Sequence, residues 1–159
     1  MGRNKKPERV TGVSAIANRL EAELSGDDHV VGVSLAGVVL LPDGFPPRCS
    51  LTQLAHTAAH PEDITSVRPI KPPSRWRSEL RQILERAAHR DSLDLRSSMA
   101  VTADSAEDLV RAVEEQWGSV RMAADVVIDE ASGCPAAWRK DFVLVTASHV
   151  AMLTVTIDD

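Results

Sequence analysis

The chain has 159 residues, 43% of them hydrophobic, and a formal net charge of −5. This length allows one domain to bury about two-thirds of its unfolded surface, and two cysteines are too few for a disulfide framework. The longest uncharged apolar run, residues 30–41, is shorter than the roughly 18 residues that span a bilayer, and the basic first residues do not resemble a secretory leader. We therefore expect a cytoplasmic protein without a membrane segment.

The first structured element follows a basic start, residues 1–12, that we expect to be flexible. Apolar residues then recur at helical spacing from Ile16 to Leu24, which predicts a helix that Gly26 ends. The next segment, residues 30–41, is apolar at both odd and even positions. Such a run indicates a strand that is buried on both faces.

A second helix is predicted over residues 51–59, because Ser50 and Gln53 form a capping box. Four prolines then fall within residues 61–74, which we interpret as an extended, Pro-rich connection across the surface. A third helix is predicted from Ser74 or Arg75 to about Arg90. Its buried stripe is formed by Trp76, Leu80, Ile83 and Leu84.

The C-terminal half is predicted to run β-α-β-β-β. A short strand at 99–102 precedes a helix capped by Asp104 and closed by Gly118. Strand 119–129 has apolar even positions, so its odd positions, including Arg121 and Asp125, are expected to face solvent. Two more strands follow, at 142–147 and 150–157.

The expected fold is a small single α+β domain over residues 13–159. Its mixed sheet has four to five strands, with three to four helices packed on it. A right-handed crossover would make strand 99–102 parallel to strand 119–129, and the last two strands would add as an antiparallel meander.

Positive charge is concentrated in residues 68–90, which hold seven basic and two acidic side chains between acidic flanks. Guanidinium groups bind phosphate oxygens, so this segment is a candidate nucleic-acid surface. On a helical wheel, however, its arginines fall on both flanks of the apolar stripe, and the pI of about 5.5 is acidic. A solvated face or a protein-binding face explains the segment better; the candidate nucleic-acid residues are Arg68, Lys71, Arg75, Arg77 and Arg81.

One pair of histidines has the spacing of metal ligands. His56 and His60 are four residues apart on the second predicted helix, and Cys49 precedes them. Zinc needs three or four ligands, and no glutamate follows His56 to complete an HExxH pattern. We interpret both as ordinary histidines and expect no cofactor.

Trp138 and Arg139 lie at the start of a strand between polar residues. An exposed tryptophan is a natural anchor for a partner, although the ring could instead fold over the edge of the core. Together with Arg77 and Arg81, these two residues form the candidate partner-binding set.

No GxGxxG, P-loop or GxSxG motif occurs. The leading hypothesis is therefore a non-enzymatic protein-interaction or regulatory domain that self-associates or docks to a protein, since open sheet edges favour association. One alternative is a nucleic-acid-associated accessory protein that uses the basic segment 68–90. A second alternative is a metal-dependent enzyme that uses His56 and His60.

Overall fold

The computed structural model describes residues 12–25, 30–40, 51–58, 64–88, 95–128 and 138–158. These residues form helices α1 (Gly12–Leu24), α2 (Leu51–Ala58), α3 (Arg75–Ala88) and α4 (Leu95–Trp117). They also form strands β1 (Val30–Leu40), β2 (Ile64–Pro69), β3 (Met122–Ile128), β4 (Trp138–Val145) and β5 (His149–Asp158). The expected α+β domain is confirmed. Among the described helices, none combines the length and apolarity needed to cross a membrane.

The five described strands make one sheet in the order β1-β5-β4-β3-β2, and every neighbouring pair is antiparallel. The meander of β3, β4 and β5 agrees with the expected C-terminal strands. The strand predicted at 99–102 is wrong, because these residues lie inside α4. The predicted parallel pair is therefore missing from the described sheet, which is antiparallel and not mixed.

Helices cover both faces of the sheet. On one face, α1, α3 and α4 enclose the larger core with the inward residues of β1, β3, β4 and β5. On the other face, Leu54 and Ala55 of α2 pack on a second cluster that includes Val126, Val143 and Met152. Both odd and even positions of the central strands are consequently buried.

The third helix follows the sequence prediction closely. Trp76, Leu80 and Leu84 are at most 1% exposed and Ile83 is 9% exposed, and α3 packs mainly against α4. The predicted end of α4 is also confirmed. Gly118 has a φ of +92°, the left-handed conformation that glycine adopts easily.

Strand β1 lies at an edge of the sheet. The prediction that it is buried on both faces is wrong for residues 30–35, because Val30 is 60% exposed while Val31 and Val33 are buried. Two outward N–H groups of this edge are bonded to side chains. The N–H of Val31 donates to Ser25 Oγ at 2.9 Å and that of Val33 donates to Glu21 Oε1 at 2.8 Å. These contacts block the addition of another strand there.

The opposite edge is β2, which occupies part of the Pro-rich connection expected over residues 61–74. The N–H of Ile70 donates to the carbonyl of Ala123 in β3. Successive N–H groups of a strand point to opposite sides, so an N–H at Pro69 would point away from β3. A proline at such a position removes no sheet hydrogen bond. It also blunts this edge.

Candidate functional site

A cavity of about 610 Å³ lies between α3 and the β2-β3-β4 part of the sheet. This volume is in the range of ligand pockets. We call it the α3 cleft; its described lining residues are Arg68, Arg75, Ser78, Glu79, Gln82, Ile83, Arg86, Asp125–Ile128 and Trp138–Asp141.

One wall of the α3 cleft is a polar stripe of α3. Arg75, Glu79, Gln82 and Arg86 follow one another three or four residues apart, with Ser78 beside Glu79, so they share a face of the helix. This stripe lies beside the buried apolar stripe of the same helix. Packing of the apolar stripe into the core therefore fixes where the polar stripe points.

The opposite wall contains a buried carboxylate, Asp125, which is 6% exposed. Its Oδ2 atom accepts from Arg68 Nη2 at 2.8 Å and from Lys140 Nζ at 2.5 Å. Its Oδ1 atom is also buried and has no hydrogen-bond partner among the described residues. The alternation in strand 119–129 predicts that Asp125 faces solvent. That prediction is wrong, because the carboxylate lies between Arg68 and Lys140 on the face of the sheet that is turned toward α3.

The cations of the cleft differ in how fully they are neutralised. Arg139 forms a two-pronged ion pair with the buried Asp141, at 2.8 and 3.1 Å. Arg86, in contrast, forms no ion pair within the described chain, and Arg75 has only a 3.5 Å contact with the carbonyl of Lys71. Five cationic and three anionic residues line the cavity. Arg139 and Asp141 alternate with Trp138 and Lys140 along β4, so their side chains lie on the other face of the sheet, and the remaining four cations and two anions still leave a net positive charge.

Part of the cleft is apolar. Trp138 is half-buried and packs against the larger core, and Ile83 lies on the α3 side. Val127, two residues beyond Asp125 on the same face of β3, is 52% exposed. A large exposed apolar side chain on the floor of a cavity provides a surface for an apolar part of a ligand.

The structure brings some of the predicted site residues together and separates others. Trp138, Arg139, Arg68 and Arg75 all line the α3 cleft, and Lys71 lines an adjoining cavity of about 390 Å³. Two predicted residues do not contribute; Arg77 pairs with Glu114 of α4, and Arg81 pairs with Glu85 at 2.9 Å.

The proposed metal ligands are only partly described. His56 is half-buried in α2, while His60 and Cys49 lie outside the described residues. Within the described ranges, no group of three or more His, Cys, Asp or Glu residues could hold a metal ion.

Three cleft residues, Glu79, Gln82 and Lys140, have no site role in the sequence-based prediction, whereas Arg86 belongs to the basic segment that could bind phosphates and Asp125 is interpreted there as part of a solvated strand face. The helical spacing from Arg75 to Arg86 is a usable signal for Glu79 and Gln82. No sequence signal marks Asp125 as buried, because its environment depends on which helix covers which face.

Comparisons with family models, curated protein sequences and solved structures find no match for the chain.

Proposed function

We propose that this chain is a non-enzymatic regulatory domain that binds a small anionic molecule in the α3 cleft. One observation carries the proposal: a cavity of about 610 Å³ has an excess of cations, and Arg86 in its wall has no ion-pair partner among the described residues. Guanidinium groups recognise phosphate and carboxylate oxygens through paired hydrogen bonds. The site therefore suits an anion.

Binding without turnover has more support than catalysis. The described lining of the cleft includes no histidine or cysteine, and its serine, Ser78, donates its hydroxyl to the carbonyl of Arg75 at 2.9 Å. A nucleophile requires a base within hydrogen-bond reach. The described cleft offers cations and a buried carboxylate, which suit recognition.

A small anion also has more support than a nucleic-acid backbone. A duplex needs many cations along an extended surface, whereas Arg77 and Arg81 form ion pairs with glutamates on other parts of the surface. Self-association through the sheet edges has weaker support, because the side chains of Glu21 and Ser25 occupy part of the β1 edge and Pro69 blunts the β2 edge.

Titration calorimetry with pyrophosphate tests this function. We expect one site per chain, and we expect Arg86→Ala to weaken binding about tenfold, since a hydrogen bond to a charged group contributes about 1.5–3 kcal/mol. Arg81→Ala is the matched control because it removes the same charge from the same helix outside the cleft.

Equal losses in both variants would show that general charge, and not the cleft, attracts the anion. Absence of binding at millimolar pyrophosphate would contradict the proposed function. The nucleic-acid alternative would be favoured if the protein binds a DNA or RNA duplex with a submicromolar dissociation constant and if Arg77→Ala and Arg81→Ala abolish that binding.

A further inference from the structure

We infer that the anion bound in the α3 cleft is an acidic α-amino acid, with a carboxylate held by Arg68 and Arg75 and its ammonium group held by Glu79. This inference rests on the proposed function and specifies its ligand. The observation that carries it is that two arginines and one carboxylate meet where two cavities join. An α-amino acid carries the complementary pair of charges, because its carboxylate and its ammonium group are attached to the same carbon atom.

The junction of the two cavities is lined by three charged side chains. The lining residues that the α3 cleft shares with the adjoining cavity of about 390 Å³ are Arg68, Arg75 and Glu79. Arg75 and Glu79 are one turn apart on α3, a spacing that puts their Cβ atoms about 5–6 Å from each other. Arg68 belongs to β2, on the opposite wall. A small ligand at the junction is therefore within reach of side chains from both walls.

Both arginines have donors left for a carboxylate. The side chain of Arg68 is 72% exposed, and one of its guanidinium nitrogens, Nη2, donates to Asp125 at 2.8 Å. Arg75 is exposed, and its guanidinium has only a 3.5 Å contact with the carbonyl of Lys71 within the described chain. A guanidinium carries several N–H donors in a planar fork that matches the two oxygens of a carboxylate.

The ammonium group is assigned to Glu79 because the other carboxylates of the α3 cleft already have cations. Asp125 accepts from two cations through Oδ2, and Asp141 is paired with Arg139. Glu79 is half-buried, and its side chain has no hydrogen bond or ion pair with another described residue. A carboxylate and an ammonium group form charge-assisted hydrogen bonds. The positive group of the ligand therefore belongs beside Glu79.

The remaining cations favour a second negative charge on the ligand. Arg86 lines the larger cavity and Lys71 the smaller one, and neither forms an ion pair with a described residue. An acidic side chain that extends from the junction into either cavity therefore meets an unpaired cation. A neutral side chain would leave that charge uncompensated. The ligand class is consequently that of aspartate and glutamate.

Two matched pairs of ligands test the assignment on the unmodified protein. We would titrate L-glutamate against glutarate and L-aspartate against succinate by calorimetry, with pyrophosphate as the reference anion. Each amino acid differs from its partner only by the ammonium group. At least one amino acid should bind about tenfold more tightly than its amine-free partner, which is the effect of a hydrogen bond between charged groups.

Substitutions then locate the contacts. Glu79→Gln should abolish the preference for the amino acid over its amine-free partner, and it should tighten pyrophosphate binding because it removes a negative charge from a cationic cleft. Glu115→Gln is the matched control, since it removes the same charge from an exposed position of α4 that lines neither cavity, and it should change neither result. Arg75→Ala should weaken the amino acid and its partner alike, by about tenfold, because both lose a carboxylate contact.

Three results would overturn the inference, and only the last would also contradict the proposed function. If pyrophosphate binds in the cleft but neither amino acid binds more tightly than its amine-free partner, the proposed function stands and the amino-acid assignment is wrong. If the preference is present but persists in folded Glu79→Gln protein, the ammonium group does not pair with Glu79. If no anion in the series binds, both proposals fail.

Discussion

The stability of the fold should depend strongly on Leu80, which is fully buried where α3 packs against α4. Leu80→Ala removes three carbon atoms. At about 0.8 kcal/mol for each buried methylene, the lost transfer free energy is about 2.4 kcal/mol, and the remaining cavity raises the total toward the roughly 5 kcal/mol upper end of buried Leu-to-Ala changes. Urea unfolding followed by circular dichroism should therefore show a loss of about 2.4–5 kcal/mol with an unchanged m-value.

Gln82→Ala on the exposed face of the same helix is the matched control, with an expected effect within about 0.5 kcal/mol. Leucine and alanine are both good helix formers, so helix propensity contributes little to the difference. A loss below about 0.5 kcal/mol for Leu80→Ala would refute the packing of α3 against α4 and would make the stripe an exposed partner surface.

Three further substitutions probe the sheet. A Cβ atom at Gly32 would lie 2.5 Å from Thr156 Oγ1, so Gly32→Ala should lower the free energy of unfolding in urea by about 1–3 kcal/mol. Adding Thr156→Ala should restore most of that free energy, because it removes the clashing oxygen. If the second substitution restores none of it, the strain lies elsewhere. Asp141→Ala should cost about 3–5 kcal/mol by thermal unfolding, because the buried carboxylate accepts hydrogen bonds from both Arg139 and Thr154, and a neutral result would contradict that role. Glu21→Ala leaves the N–H of Val33 free to pair with a strand of a second molecule, so the molar mass measured by light scattering at high protein concentration should rise. An unchanged mass would mean that this contact does not prevent association through the β1 edge.

The sequence predicted best those elements whose pattern is local. The apolar stripe of α3 repeats over a long helix, and Gly118 marks the end of α4 through its own backbone preference. The alternation within β3 correctly indicated a strand, since its even positions form one apolar face.

Short runs were harder to interpret. Residues 99–102 resemble a strand, but four apolar residues are equally compatible with one turn of a helix. Extending a helix that has already formed requires no new nucleus, and α4 continues through Asp104, the predicted cap. Strand β2 was overlooked for a different reason: Pro69 appeared to break regular structure, yet at an edge position its missing N–H removes no bond.

The α3 cleft could not be predicted because it depends on two tertiary facts. Asp125 is buried only because helices cover both faces of the sheet, and Trp138 and Arg75 line one cavity only because α3 lies beside the β2-β3-β4 part of the sheet. Charge counting found the basic segment. It could not separate Arg68 and Arg75, which face the cleft, from Arg77 and Arg81, which pair with glutamates.

The most direct test of anion binding in the α3 cleft is a map of amide chemical-shift changes when isotope-labelled protein is titrated with pyrophosphate. The proposed function predicts changes concentrated at residues 68–75, 78–86, 125–128 and 138–141, with little change in α1. Changes scattered over the basic surface, or centred on the ion pair between Arg77 of α3 and Glu114 of α4, would contradict it.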